Sequence, residues 1–237
     1  QCKFSSLCVK MLTLYKNDAS PPARAVMMVA DILGVEYVSH TINPLLREQD
    51  TEEMTKIEQC LIFFHFISCF ISSSHAMMIY LFEKYGTEKH SQLYPKNIKV
   101  RATINQRLFF DCGILFPRLR NLDIILLYNN RRLTELSKSM IRNINDAYRV
   151  LEAYLAENLY MADNVITLAD ISLMTTMSTL SGLHPISHER YPKLVKWYDS
   201  MSQQEFCKRI NAPGAADHVA GLKAFMEHNK SNIKSKI

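Results

Sequence analysis

The sequence predicts an α+β protein with two domains, in which a small βαβ domain precedes a larger all-α domain. Strand and helix periods alternate over the first part of the chain, whereas only helical periods follow residue 97. The polar stretch 87–97, which contains Pro95, is typical of a linker. We therefore place the two domains at residues 11–86 and 98–227.

The first domain begins with a strand, a helix and a second strand. Met11–Tyr15 has the pattern of a short strand, and residues 36–42 alternate apolar and polar side chains as a half-buried strand does. Between them, Ser20 followed by Pro21 is typical of a helix start, because Ser is a preferred N-cap and Pro needs no N–H partner there. Gly34 stands where a helix commonly ends. This order predicts a βαβ unit with parallel strands.

The segment Leu61–Ile71 is almost continuously apolar and interrupts the regular pattern. It contains four Phe, with His65 and Ser68 among them. A membrane span needs ~20 apolar residues, and this run has only 11, so we expect no membrane segment. A pair of buried strands is the simplest interpretation, although no turn residue divides the run.

Helical periods account for the rest of the chain. A helix is predicted from Ser74 to Tyr85, and Gly86 follows it. Further helices are predicted at roughly 99–120 and 132–155, from Thr167, from Tyr191–Pro192, and around 219–227.

Composition excludes several classes of protein. Hydrophobic residues make up 48% and charged residues 22%, which excludes a disordered or fibrous chain. The net charge of +5 is too small for a dedicated nucleic-acid binder. The six cysteines show no C-x-x-C and no Cys/His ligand spacing. We therefore predict no metal site, and reduced thiols in a cytoplasmic protein.

Two predicted helix starts are candidate anion sites. Ser20 lies at a helix N-terminus, where unpaired backbone N–H groups and the helix dipole stabilise an anion and lower the pKa of a thiol. Ser74 and His75 begin the next helix, which forms a second site suited to a carboxylate. From this pattern alone, Ser20 is either a functional residue or an ordinary helix cap. Thr167 and Asp170 form a capping box, for which we predict a structural role.

The motifs along the chain resemble those of cytosolic glutathione transferases. In the first half they are Leu12-Thr-Leu-Tyr15, Ser20-Pro-Pro-Ala-Arg24, Ile42-Asn43, Ser74-His-Ala76 and Tyr80-Leu81. In the second half they are Gly113-Ile-Leu-Phe-Pro-Arg-Leu-Arg120, Tyr148-x-x-Leu-Glu152, Thr167-Leu-Ala-Asp-Ile-Ser172 and Tyr191-Pro192. The Ser-Pro-Pro-x-Arg form, together with Gly-x-Leu-Phe-x-Arg, resembles the insect epsilon class, with the delta class as its neighbour. The resemblance extends from about Met11 to Gly214.

This resemblance implies the glutathione transferase fold, in which a thioredoxin-like N-terminal domain binds glutathione and an all-α domain completes a hydrophobic pocket. Ser20 would be the catalytic serine, whose hydroxyl hydrogen-bonds the glutathione sulfur and favours the thiolate. The residues at the glutamyl end of glutathione would be Ser73, Ser74 and His75. The hydrophobic-substrate site would be lined by Phe116, Leu119, Arg120, Leu127 and Tyr128.

The same resemblance implies partners and a reaction. Glutathione would be a co-substrate that is conjugated to a small hydrophobic electrophile, as in detoxification, without a metal. The protein would be a homodimer with no nucleic-acid or membrane partner.

Residues 58–73 depart from the family, although both flanks resemble it. The family introduces its third strand with Asn-Pro-x-His-x-Val-Pro, whereas Glu58-Gln-Cys-Leu-Ile-Phe-Phe64 contains no proline. Ser73 stands where the family has an acidic residue that binds the glutamyl amine. Such an abrupt change is typical of translated non-coding sequence, and we also expect Met11 to be the true first residue, with residues 1–10 upstream of it.

Two functions stay open at this point. The first is an enzyme that uses glutathione for conjugation or peroxidation of small hydrophobic electrophiles, or for isomerisation, which Ser20 and the intact helical half favour. The second is a non-catalytic relative that binds apolar ligands or partners through the same fold, which the departure at 58–73 favours.

Overall fold

The structure is a computed structural model that describes residues 12–43, 46, 48, 51, 63–66, 69–71, 73–128 and 133–234. Met11, residues 1–10 and residues 58–62 lie outside the described residues. The strands are β1 (Leu12–Lys16), β2 (Tyr37–Thr41), β3 (Phe63–Phe66) and β4 (Cys69–Ile71). The helices are α1 (Pro21–Leu33), α2 (Ser74–Tyr85), α3 (Ile98–Phe110), α4 (Phe116–Asp123), α5 (Lys138–Tyr154), α6 (Leu168–Leu183), α7 (Pro192–Ser202) and α8 (Ala212–Lys234).

The strands form one mixed sheet in the order β2-β1-β3-β4. β1 and β2 are parallel, with Leu12 opposite Tyr37, and α1 connects them. The predicted βαβ unit is therefore confirmed. β3 runs antiparallel to β1, with Phe64 opposite Leu14, and β4 runs antiparallel to β3. The apolar run Leu61–Ile71 thus contributes a pair of strands to the sheet, as its simplest interpretation predicts.

α1 is the helix that positions the first candidate residue. Ser20 is its N-cap, with φ −71° and ψ 120°, and Pro21 and Pro22 occupy the first turn, where helix N–H groups have no intrahelical partner. Gly34 ends the helix in the left-handed region at φ 67°, a conformation that only glycine adopts without cost. Both ends of α1 therefore follow from local sequence signals.

β2 is more exposed than its sequence pattern predicts. Alternation over residues 36–42 predicts a half-buried strand, but all residues of the strand after Tyr37 are exposed. The reason is its position, since β2 lies at the edge of the sheet and pairs with β1 alone among the described strands.

The first long helical segment contains two irregular turns. The helix predicted at 99–120 extends from Ile98 to Tyr128, and π-helical turns interrupt it at Asp111–Leu115 and Ile124–Tyr128. Such turns are frequent at functional sites, because they change the direction in which the following side chains point. The predicted linker also contains a 3₁₀ helix, Glu88–Leu93.

Two other helices have boundaries that the sequence pattern does not predict. α5 begins only at Lys138, because the Ser137 hydroxyl accepts a hydrogen bond from the Met140 N–H at 3.2 Å and so caps the helix there. α8 continues to Lys234, beyond the predicted end at residue 227. The Asn229 side chain donates to the Leu133 carbonyl at 3.0 Å, which holds this last part of α8 against the loop before α5.

α6 is the centre of the molecule. It is buried from Leu168 to Leu180, and it packs against α1 of the βαβ unit as well as α3 and α8. The described residues contain no strand beyond residue 100, so the predicted fold class, a βαβ domain followed by an all-α half, is confirmed. Among the helices that the structure describes, none has the length and apolarity required to cross a membrane.

Candidate functional site

The turn after β1 holds Ser20 in place. The Ser20 N–H donates to the Asn17 carbonyl at 3.0 Å, and the Asn17 side chain accepts from the Ala19 N–H at 3.0 Å. The same side chain donates to the Ile42 carbonyl at 3.1 Å, which ties the turn to the end of β2. Both parallel strands of the βαβ unit therefore fix the position of Ser20.

The half-buried hydroxyl of Ser20 does not act as a helix cap. It makes no hydrogen bond to the first turn of α1, nor to any other described residue. Pro21 and Pro22 have no N–H, so Ala23 supplies the first backbone donor of this helix. The predicted cluster of unpaired N–H groups around Ser20 is consequently wrong in detail. An anion at this helix end depends on the Ser20 hydroxyl itself, with the dipole of α1 in support.

The second candidate site lies at the start of α2, whose predicted bounds, Ser74 to Tyr85, are confirmed. α2 begins at Ser74, so the exposed Ser73 is its N-cap, and Ser74 is buried in the first turn. The Ser73 side chain makes no cap hydrogen bond. The first-turn N–H groups of α2 are therefore not capped by Ser73 and suit a carboxylate.

His75 connects this helix start to the helical half of the molecule. Its Nε2 lies 3.2 Å from Oδ2 of Asp111, in the first π-helical turn. The Asp111 carboxylate is buried and also accepts hydrogen bonds from Ser172 Oγ at 2.5 Å and Thr176 Oγ1 at 2.9 Å, both on α6. One buried carboxylate thus holds α2, the turn after α3, and α6 together. This fixes the orientation of the His75 ring at the start of α2.

Sequence reasoning gives Asp111 no role and does not single out Ser172 or Thr176 as partners. Two signals point to them. Asp111 is a single acid in the apolar stretch 108–116, and a buried carboxylate needs hydrogen-bond donors. Ser172 and Thr176 are four residues apart in an apolar helix, so their hydroxyls lie on the same face. The pairing itself joins residues 61 and 65 positions apart, which no local pattern reveals.

The residues predicted for the hydrophobic-substrate site have different environments. Leu119 is 0% exposed and belongs to the core, whereas Arg120 is exposed. Phe116 and Leu127 are half-buried, and Leu127 packs against the core. Tyr128 ends the second π-helical turn, and its side chain lies outside the described residues. Leu119 therefore supports the segment from beneath and does not line an open surface.

α8 covers the same segment from the C-terminal side. His218 Nε2 on α8 lies 2.8 Å from Oδ1 of Asp123, the last residue of α4. Both side chains are mostly buried. The C-terminal helix is thus held across the start of the second π-helical turn, beside two of the residues predicted to contact an electrophile.

The capping box at α6 is fully buried. Asp170 Oδ2 accepts from the N–H and the hydroxyl of Thr167 at 2.9 and 2.8 Å, and Oδ1 accepts from the Met161 N–H at 2.8 Å and from Trp197 Nε1 at 2.9 Å. Burial raises the pKa of the Asp170 carboxyl, and these four hydrogen bonds oppose that rise. Asp170 therefore joins the loop before α6 to α7, away from Ser20.

A cavity lies apart from these two helix starts. It has a volume of about 490 Å³ and lies between α6, α7 and α8, with Ser178, Tyr198 and Lys223 among its lining. It contains none of the predicted site residues. The described residues also contain no group of three or more His, Cys, Asp or Glu side chains that could hold a metal ion.

The fold defines a class of protein in which a βαβ domain, with candidate anion sites at two helix starts, is joined to an all-α half. Residues 124–205 match the family Glutathione S-transferase, C-terminal domain. Glutathione S-transferase 1 of Manduca sexta is 37% identical over 211 residues, which cover 86% of this chain and 94% of that protein.

Solved structures give the same result. An epsilon-class glutathione S-transferase from the housefly, Musca domestica, has a TM-score of 0.85 and 33% identity, covering 90% of this chain and 98% of its own. A glutathione transferase homolog from Drosophila mojavensis with bound glutathione has a TM-score of 0.85 and 34% identity, covering 90% and 97%. This chain belongs to the glutathione S-transferase family. The resemblance to the insect epsilon class that the motifs indicate is thereby confirmed.

Proposed function

We propose that this protein conjugates glutathione to small hydrophobic electrophiles, and that Ser20 stabilises the reacting thiolate. The proposal rests on the Ser20 hydroxyl, which makes no cap hydrogen bond at the start of α1. The hydroxyl of an N-cap serine normally accepts a hydrogen bond from the first turn of its helix, whereas the Ser20 hydroxyl is available to bind a ligand. The curated relative from Manduca sexta is named a glutathione S-transferase, which supports the same reaction.

The reaction follows from the chemistry of the two helix starts. The Ser20 hydroxyl donates a hydrogen bond to the sulfur of glutathione, and the dipole of α1 adds positive potential, so the thiol loses its proton to solvent near neutral pH. The thiolate then attacks the electrophilic carbon. A carbon–sulfur bond forms, and the leaving group departs with its electron pair, or the electron pair moves to an activated acceptor atom in an addition.

The start of α2 is proposed to bind the glutamyl carboxylate of glutathione. Ser74 and the first-turn N–H groups are the donors, and His75 is held beside them by Asp111. Ser73 offers only a hydroxyl to the glutamyl amine, where the family has an acid. We therefore expect binding at this end to be weaker than in relatives that retain the acid.

The electrophile is proposed to bind along the second π-helical turn. Phe116, Arg120, Leu127 and Tyr128 are the candidate contacts, with Leu119 as support from the core and α8 as a cover. Aromatic and aliphatic side chains beside one guanidinium suit an apolar substrate with a polar or electron-withdrawing group.

The organisation of the protein is proposed to follow the family. Residues 11–86 form the glutathione-binding domain and residues 98–227 the helical domain, in a homodimer of the cytoplasm. The proposal of a homodimer is supported by one face of α3, on which Ile98 is 85% and Phe109 75% exposed. These residues are eleven positions apart, which is about three helical turns, so they lie on the same face. A second copy would bury this apolar face.

The non-catalytic alternative has one observation in its favour, the cavity between α6, α7 and α8. An apolar ligand there would need neither Ser20 nor the start of α2. The two functions differ in their requirement for glutathione, and a direct binding measurement therefore separates them.

The test compares this chain with a variant in which residues 58–73 carry Asn-Pro-x-His-x-Val-Pro, a glycine turn and an acid before Ser74. Both proteins are titrated with glutathione by calorimetry and assayed for conjugation of a chloronitrobenzene. We expect both to conjugate, and the variant to bind glutathione about 10- to 100-fold more tightly, because a charge-assisted hydrogen bond contributes ~1.5–3 kcal/mol.

Equal affinities would mean that residues 58–73 are a tolerated variation. Absence of glutathione binding in both proteins, with retained binding of an apolar dye, would reject the enzyme and favour the non-catalytic alternative.

A further inference from the structure

Arg24 is a buried cation one helical turn after Ser20. It is 0% exposed, and its guanidinium donates to the carbonyls of Ala19 at 3.5 Å and Thr175 at 3.3 Å, and to the Thr179 hydroxyl at 2.9 Å. It also donates to the Asn211 carbonyl at 3.3 Å and to the side-chain oxygen of the same residue. Its Nε is buried without a partner. None of these acceptors carries a negative charge.

Several elements around Arg24 carry charged or titratable groups. They are Lys16 and Asp18 in the turn, Asp31 on α1, Asp170 on α6, Tyr198 on α7, Glu205, Cys207, Lys208 and Arg209 near the third π-helical turn, Cys207–Asn211, and Asp217, His218 and Lys223 on α8.

Four of the five carboxylates of this set have other partners, and the fifth, Asp217, is exposed to solvent. Asp18 pairs with Lys16, Asp31 with Arg209 at 2.5 Å, and Glu205 with Lys208 at 3.1 Å. Asp170 is held by Thr167, Met161 and Trp197. Burial raises the pKa of the Cys207 thiol to about 12, so this group is neutral.

The packing also excludes water from Arg24. Gly214, near the start of α8, approaches so closely that a Cβ there would lie 2.1 Å from the Asp18 carbonyl oxygen and 2.7 Å from Arg24 Cδ. The βα turn, α6 and α8 therefore enclose the guanidinium. Burial lowers its pKa to about 10, which leaves it protonated at neutral pH. A buried charge without a counter-charge costs several kcal/mol, and hydrogen bonds to neutral groups offset only part of that cost.

The guanidinium lies close to the site of the proposed thiolate. Helix side chains lean toward the N-terminus, and Arg24 reaches back to the carbonyl of Ala19, whose peptide bond leads directly into Ser20. Since Arg24 is 0% exposed, bulk solvent screens its field at the end of α1 only weakly.

We infer that Arg24 is a positioning residue that acts through its charge. Its counter-charge is the glutathione thiolate that the Ser20 hydroxyl binds. The inference rests on the proposed function, since the thiolate is that of glutathione. Arg24 does not touch the sulfur. It raises the positive potential at the start of α1 from within the core, in addition to the hydroxyl and the helix dipole.

The test measures this potential without glutathione. Ser20→Cys places a thiol at the site, and its alkylation by iodoacetamide is followed against pH through the mass of the peptide that contains it, which separates it from the native cysteines. The thiol pKa is then compared in S20C, S20C/R24K and S20C/R24M. Methionine removes the charge and keeps most of the volume, whereas lysine keeps the charge and loses the fork of donors.

We expect R24M to raise the pKa of the introduced thiol by about 0.5–1 unit, and R24K to change it by much less. Equal shifts in both variants would assign the effect to lost hydrogen bonds, and no shift in either would leave Arg24 a purely structural residue. Either result overturns the inference. Failure of the proposed function would appear separately, as absence of glutathione binding in the parent chain.

A second pair of variants covers the case in which R24M does not fold. Thr179→Asp places a carboxylate on the Arg24 guanidinium and neutralises its charge in place, and Thr179→Asn is the uncharged control. We expect the aspartate, and not the asparagine, to raise the pKa of the thiol in the S20C background. An unchanged pKa with the aspartate would reject the inference.

Discussion

Ser20 differs from an ordinary helix cap because of the two residues that follow it. A serine N-cap accepts a hydrogen bond from the second or third N–H of its helix. Pro22 has no N–H, and no cap hydrogen bond forms to the rest of the turn. Ser20 therefore has the backbone geometry of a cap, but its hydroxyl is available to bind a ligand. A single substitution can distinguish the structural role from the ligand-binding role.

We predict that Ser20→Ala raises the thiol pKa of bound glutathione by about one to two units, because a hydrogen bond to a charged group contributes ~1.5–3 kcal/mol and one unit corresponds to ~1.4 kcal/mol. The thiolate absorbance is titrated against pH in the mutant and the parent. The melting temperature should stay the same, since no cap bond is lost, and Ser20→Thr, which keeps a hydroxyl, is the control. An unchanged thiol pKa with a lower melting temperature would make Ser20 only a cap.

At the scale of elements, α6 joins the two halves of the protein. Its N-terminus is held by Asp170, and its middle carries Ser172 and Thr176, which bind the carboxylate beside His75. Thr179, one turn further along, binds Arg24. A helix whose apolar residues form the core thus supplies polar contacts to Asp111, beside the start of α2, and to Arg24, one turn into α1, which makes its position critical for the site.

We predict that Asp170→Ala lowers the free energy of unfolding by about 3–5 kcal/mol, which is more than the ~0.5–2 kcal/mol of an ordinary cap. The reason is that the buried donors of Thr167, Met161 and Trp197 all lose their acceptor. Urea unfolding followed by far-ultraviolet circular dichroism measures the change. Asp170→Asn, which keeps one carbonyl oxygen, should lose less. A mutant that unfolds like the parent but lacks activity would contradict the structural role of Asp170.

For the molecule as a whole, two histidines make the free energy of unfolding depend on pH. Burial lowers the pKa of His90 and of His184. His90 is 7% exposed, and its Nδ1 accepts a hydrogen bond from the Thr87 N–H at 3.2 Å, which protonation of that nitrogen would break. The folded state therefore binds these protons only at a lower pH than the unfolded state does. Their contribution to stability is complete above the unfolded pKa of about 6.5 and is lost as the pH falls.

We predict that the His90→Gln variant loses less stability than the parent between pH 7 and pH 5. The reason is that the glutamine side chain can accept the same hydrogen bond from the Thr87 N–H and does not titrate. Thermal unfolding at intervals of pH measures both slopes. His188→Gln, at an exposed histidine, is the matched control and should keep the parental slope. A His90→Gln slope equal to that of the parent would show that His90 does not contribute to acid sensitivity.

The sequence by itself determined the features that depend on neighbours a few residues apart. The start of α1 at Ser20-Pro-Pro, its end at Gly34 and the capping box of Thr167 and Asp170 are all legible in this way, because caps and turns are set by local backbone geometry. The family could also be inferred from the order of its motifs. The hydrophobic period predicted the type of each half, but it could not predict the late start of α5, since a single hydroxyl of Ser137 decides it.

Only the tertiary structure decided which groups meet. Asp111 finds its partners 61 and 65 residues further along the chain, and Arg24 finds Asn211 across 187 residues. These contacts depend on how α6 and α8 pack against α1 and α3, and many distant residues determine that packing together. The exposure of β2 depends in the same way on its place at the edge of the sheet. Burial and charge compensation are properties of the whole fold, and for that reason no local pattern contains them.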